Sequence, residues 1–277
     1  STPGPVVNEN TGESYGTIQA AVDDASTSDS ISAAPGQYNE SVTVDTPLAL
    51  RGAAAGTFSG DVLLSDSSGP AGHWYPDRYR PAVFETYDLN GEMVLRHGVR
   101  SGDSASNRPS QYSTSFYNYQ GRKLDTDLSG DPQAMTIDLW VDSSWQGAER
   151  NAGIWATGFV ESDVSAYPIM AWRSGGEDPD GFYAYDYFDG GWLLLMEAGA
   201  DDYGKWHTLS FVLTPGTGVE YFVNGGSRRT FADPDTTTLG NLILNVYNYG
   251  DDYDVYWDNL QVQSEGQAPF DSVVKGQ

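Results

Sequence analysis

From residue 83 onward the chain is a succession of strand-length segments, rich in β-branched and aromatic residues and separated by turns of Gly, Asn, Asp and Pro. They fall at 91–99, 113–119, 135–141, 153–159, 169–173, 181–188, 192–197, 207–213, 219–223, 242–247 and 253–262. Segments this short and this regularly interrupted cannot build a helical bundle or a parallel sheet with helical crossovers. They predict one all-β, antiparallel sandwich over residues 83–263. Asn224-Gly225-Gly226 supplies a hairpin turn within the series. In the last segment, strand alternation groups Tyr256, Asp258, Leu260 and Val262 on one face and Val255 and Trp257 on the other. Asp258 then interrupts an apolar face, where a carboxylate needs hydrogen bonds, a counter-charge or a metal.

Ahead of the sandwich, Ile18, Ala21, Val22 and Ala25 stand at helical spacing behind Thr17, a capping residue, so one short helix is expected within 14–25. Strand-like pieces follow at 30–34, 41–45, 48–51 and 61–65. Residues 1–66 form this N-terminal segment, 67–82 read as a linker because of Gly69-Pro70, Pro76 and Pro81, and 264–277 form a tail. The stretch TIQAAVDDA followed by APGQYNESVTVDTPLALRG resembles the opening of right-handed parallel β-helix proteins of the pectate-lyase-like type. That likeness implies a helical cap and a rung-like fragment; no solenoid repeat follows it, and a lone rung leaves open strand edges. Such edges make self-association into a filament, sheath or surface layer an alternative expectation.

Asp and Glu number 39 against 14 Lys and Arg, for a net charge of −25. This disfavours nucleic acid and leaves cations, neutral or basic glycans, or further copies of the chain as partners. The same charge fits a protein adapted to brine. There is no cysteine, and no apolar run of membrane-spanning length. The opening STPGP, without Met, leads us to expect removal of a signal peptide and a secreted or cell-surface location. Asn39-Glu40-Ser41 is a glycosylation sequon.

Phe84-Glu85, TIDLWV at 136–141, KWHTLSFVL at 205–213, YFVNG at 221–225 and YWDNLQV at 256–262 resemble, in order, the concanavalin-like or laminin-G-like jelly roll and related carbohydrate-binding modules. The resemblance implies a non-catalytic polysaccharide-binding or adhesion role, and a structural calcium shared by Glu85 and Asp258. A weaker calcium candidate is the turn carrying Asp125, Asp127 and Ser129, whose twelfth position is Thr136 where a Glu belongs. For the glycan, Tyr183, Tyr185 and Tyr187 share one strand face, with Trp172, Arg173 and Trp192 on neighbouring segments; flat rings beside polar groups suit sugar stacking. Trp140, Trp145, Trp155, Trp206 and Trp257 are expected to be core or strand-edge residues.

A polysaccharide lyase or glycoside hydrolase is the third expectation, and the less favoured one. Jelly-roll glycosidases set two carboxylates on one strand, but Glu161-Ser162-Asp163 is followed by Ser165 and Ala166 where the second Glu belongs. His73, His97 and His207 lie far apart and match no metal or nucleophile motif.

Overall fold

The computed structural model describes residues 6–33 and 42–52, apart from 9, 28 and 47, and residues 74–263, apart from 127 and 129. The chain divides into an N-terminal unit and a larger sandwich. The sequon and the expected strand at 61–65 lie outside the described residues, as does the tail.

The N-terminal unit contains β1 (Val6–Asn8), β2 (Ser14–Tyr15), α1 (Ile18–Asp24), β3 (Ser30–Ala33) and β4 (Ala49–Gly52). Thr17 caps the helix as its sequence position suggests, its Oγ1 accepting from the Ala20 N–H at 3.2 Å. The four strands pair in the order β2-β1-β3-β4, antiparallel except for the parallel β3–β4 pair. Val6, Ala21, Val22, Ile31, Ala33 and Leu48 close a small core. No strand forms at the described positions 42–45, contrary to the sequence reading. There the Gln19 amide takes the place of a neighbouring strand: Nε2 donates to the Thr43 carbonyl at 3.1 Å and Oε1 accepts from the Thr43 N–H at 2.7 Å.

The sandwich runs through β5 (Tyr75–Arg78), β6 (Val83–Leu89), β7 (Glu92–Val99), β8 (Tyr119–Asp125), β9 (Gln133–Val141), β10 (Arg150–Val160), β11 (Asp163–Ala166), β12 (Ile169–Ser174), β13 (Gly181–Tyr185), β14 (Trp192–Glu197), β15 (Lys205–Thr214), β16 (Gly218–Val223), β17 (Gly226–Ala232), β18 (Thr238–Tyr247) and β19 (Tyr253–Gln263). One sheet has the order β14-β13-β12-β10-β18-β8-β5, with β11 added on β10; the other has the order β17-β16-β15-β9-β19-β7-β6. Every pairing between the named strands of the two sheets is antiparallel, as expected of a jelly roll. Between them lies one core, to which β10 gives Ala152, Ile154 and Ala156, β9 gives Met135, Ile137, Leu139 and Val141, and β19 gives Val255 and Trp257.

Three expectations are corrected. Residues 75–78 form an edge strand of the first sheet rather than part of a linker, because Pro76 lacks an N–H but an edge strand needs none on its outer side. Within 113–119, residues 115–118 form a short 3-10 turn and the strand begins only at Tyr119. A bulge at Asn259, whose φ is +50°, shifts the register of β19 so that Gln261 opposes Thr136. Leu260 and Val262 therefore pack against the core, while Asp258 stays on the outer face.

Candidate functional site

Side chains of the first sheet that point away from the core fall into transverse rows set by strand register. In one row Trp192 lies beside Tyr185, and Ile169, Trp155, Ile243, Lys123 and Tyr75 follow across the adjacent strands. The next row has a centre of small residues: Tyr183, Ala171, Gly153, Asn245, Gly121 and Asp77. A third row holds Arg173 and Asn151, then Tyr247 and Tyr119. The small row has a purpose. A Cβ on Gly153 would lie 2.8 Å from the Met170 carbonyl, 2.9 Å from the Ala171 Cβ and 3.1 Å from the indole Nε1 of Trp155, so the bare backbone lets the neighbouring strand and the ring come close.

The rings form a belt. Tyr119 meets Trp155 at 5.0 Å and Tyr247 at 4.9 Å, Tyr247 meets Tyr249 at 4.6 Å, and Tyr185 meets Trp192 edge-on at 5.5 Å. Two guanidinium groups lie on the belt. Arg78 sits 4.4 Å from the Trp155 ring centre and 4.8 Å from that of Phe116; Arg173 sits 5.0 Å from Trp192 and 5.1 Å from Tyr183. Trp155 is only 6% exposed although it stands on the outer side of a sheet, so its neighbours wall it in; Phe116, at 55% exposed, is open on the rim. The segment that carries Phe116 is held by the buried Arg108, which donates to the carbonyls of Asp103, Tyr112 and Thr114 and to Asn118 Oδ1.

Chemically the face offers stacking surfaces and hydrogen-bonding groups. Burial pushes the Tyr119 phenol above its ordinary pKa, so it stays protonated near neutrality and can donate and accept a hydrogen bond. Asp77 and Asp125 are both engaged: Asp77 pairs with Arg78 at 2.7 Å, and Asp125 accepts from the Tyr75 hydroxyl at 2.6 Å. Arg173 meets only the exposed Asp178, at 3.5 Å, among the described ion pairs, and its Nε is buried without a partner. Glu161 sits in an exposed turn after β10, away from the face centre, with φ of +54°.

Of the expected ligand residues, Tyr183, Tyr185, Arg173 and Trp192 come together here. Tyr183 forms floor rather than rim, being buried with its hydroxyl donating to the Pro179 carbonyl. Trp172 does not belong: it points the other way and is fully buried against Phe182 and Tyr203. Nor does Tyr187, which lies beyond the end of β13, packs on Phe231 and donates to Asp233 at 3.0 Å. Sequence reasoning missed Phe116, Arg78, Tyr119, Tyr247 and Tyr249, and counted Trp155 among the core or strand-edge residues rather than on the belt. Tyr247 had a usable signal, since it follows the buried run of β18 at the parity opposite to Val246. His97 and His207 are structural: each is buried, with Nε2 at 2.9 Å and 2.8 Å from a backbone carbonyl.

The residues expected to share calcium stand on different strands, Glu85 on β6 and Asp258 on β19, with β7 between them. Glu85 lies opposite Arg96, 3.5 Å from its guanidinium, whereas Asp258 lies opposite Asp138 on the next strand pair. Asp125 belongs to β8, and Asp127 and Ser129 lie outside the described residues. Among the described residues no group of three or more His, Cys, Asp or Glu is arranged to hold a metal. Asp258 is 2% exposed; Asp138, which it faces, accepts from Thr208 Oγ1 at 2.6 Å and Asn259 Nδ2 at 2.8 Å, while Asp258 Oδ1 has no partner.

No helix among the described residues is long and apolar enough to cross a membrane. No family model matches the chain, and no curated protein matches it. Solved structures similar to it include the cellulose induced protein Cip1, at 9% identity over 73% of this chain and 97% of that one, with a TM-score of 0.47. The Bacteroides ovatus mixed linkage glucan GH16, in complex with its G4G4G3G product, is 10% identical over 68% of this chain and 94% of that one, with a TM-score of 0.46. Alginate lyase vAL-1 from Chlorella virus is 13% identical over 69% and 92%, with a TM-score of 0.44. The fold itself, an antiparallel jelly-roll sandwich preceded in sequence by a small N-terminal unit, rests on the strand order and pairing described above.

Proposed function

We propose that the protein is a non-catalytic, extracellular polysaccharide-binding protein whose outer first-sheet face holds a neutral, β-linked glucan chain. The observation that carries this reading is the belt from Phe116 to Trp192, in which rings and two stacked guanidiniums lie on the outer side of a sheet instead of in the core. Sugars with equatorial substituents present flat C–H faces that stack on such rings, while their hydroxyls bond to phenols, amides and guanidinium donors. A net charge of −25 favours a neutral chain over a polyanion.

Affinity electrophoresis on mixed-linkage β-glucan, xylan, mannan and alginate tests this reading, with calorimetry on the polymer that binds. Trp192→Ala and Tyr185→Ala should each weaken binding about tenfold, near 1.4 kcal/mol, the scale of one lost aromatic contact. Trp140→Ala, on the opposite sheet, should leave it unchanged. Binding to none of the four polymers, or binding that survives both first-sheet substitutions, overturns the proposal. Release of reducing ends or unsaturated products would replace it with an enzymatic one.

A further inference from the structure

We infer that the face selects chain length: it takes a run of about five sugar units lying across the strands, with Trp192 and Phe116 gripping its two ends. The inference rests on the glucan-binding reading and adds a direction and a span. Trp192 stands on β14, an edge strand, and Phe116 lies just before β8, its ring 4.8 Å from the Arg78 guanidinium on β5, the other edge. From β14 to β8 the sheet order gives five inter-strand steps. At about 4.8 Å each they span about 24 Å, the length of about five hexopyranose units in an extended β-linked chain.

The two ends are alike in chemistry. At one, the Arg173 guanidinium stacks on Trp192, which meets Tyr185; at the other, the Arg78 guanidinium is held between Phe116 and Trp155. Between them the floor is low and partly polar. Ala171, Gly153 and Gly121 occupy its central row, and the buried Asn245 Oδ1 beside them has no partner. A short oligosaccharide can reach one grip, whereas a longer one reaches both and gains the second contact without a second loss of translational freedom.

Calorimetry with purified cello-oligosaccharides and mixed-linkage gluco-oligosaccharides of about two to seven units tests this. Affinity should rise about tenfold or more between three and five units and level off beyond. Phe116→Ala should remove most of that rise, so that five units bind little more tightly than three. Phe116 is 55% exposed, so the fold should tolerate its loss, and an unchanged melting temperature would confirm it. Polymer binding with affinity already level at two or three units, or a Phe116→Ala variant that keeps the full rise, overturns the span and leaves the binding reading standing. Failure of β-glucan itself to bind overturns both.

Discussion

At pH 8, Asp258→Asn should be more stable than the parent protein by about 2 kcal/mol, and at pH 4 the two should melt together. Asp258 is buried at 2% exposure and faces Asp138 directly across the β9–β19 ladder, where like charges oppose each other. Both Asp138 oxygens are engaged, by Thr208 and Asn259, and Asp258 Oδ1 is left without a donor. Burial raises the Asp258 carboxyl to about 7 against an ordinary 3.8; a hydrogen bond from the Asn259 backbone works against this, and the charges of Glu92 and Asp138 reinforce it.

A carboxyl whose pKa is raised by folding contributes stability that is complete below pH 3.8 and is lost as pH rises through about 7. Above that point the folded protein carries an ionised, poorly solvated carboxylate; asparagine keeps the shape and never ionises. Three pK units correspond to about 4 kcal/mol, of which about half remains because water screens the charge of the exposed Glu92. For a domain of this size the gain corresponds to about 4–8 °C in melting temperature. Thermal melts of both proteins at pH 4, 6 and 8, each with chelator and with calcium, would check it. A variant less stable at pH 8, or a difference independent of pH, overturns the account. A loss confined to calcium would make Asp258 a metal ligand.

Alternation made the sandwich legible. It fails where a strand is apolar on both sides. In β10 the run Gly153-Ile154-Trp155-Ala156 gives no hint that Ile154 enters the core while Trp155 faces out, so the central residue of the belt read as packing. Strand β8 was missed for the opposite reason: QGRKLD is polar with one glycine, yet it lies next to the edge strand of the sheet and turns only Leu124 fully into the core. Arg78 and Phe116 could not be found by periodicity at all. One ends its strand at a φ of +56° and the other lies in a 3-10 turn, so their meeting depends on tertiary structure. The Asp258 reading failed at a single residue, since the bulge at Asn259 reverses the parity of everything after it. Its burial could be anticipated; its neighbours Asp138 and Glu92, distant in sequence, could not.

The same alternation separates two tryptophans that the sequence grouped together, and their substitution should separate stability from binding. Trp172→Ala should lower unfolding free energy by about 4 kcal/mol, and the melting temperature by about 8–16 °C. Trp172 is fully buried between the sheets, 5.1 Å from Phe182, 5.3 Å from Tyr203 and 6.4 Å from Trp145, so truncation opens a cavity that these rings cannot all collapse to fill. Trp172→Phe should cost only about 1 kcal/mol: it keeps a ring in the space and also removes an indole N–H that is buried without a partner. Trp192→Ala, at the half-exposed end of the belt, should change stability by about 1 kcal/mol or less while weakening glucan binding about tenfold. Urea titrations with unchanged slope, set beside calorimetry on the same three variants, measure both quantities. If Trp172→Ala loses binding at a temperature where it remains folded, or if Trp192→Ala destabilises as much as Trp172→Ala, the division of this sheet into a packing face and a binding face is wrong.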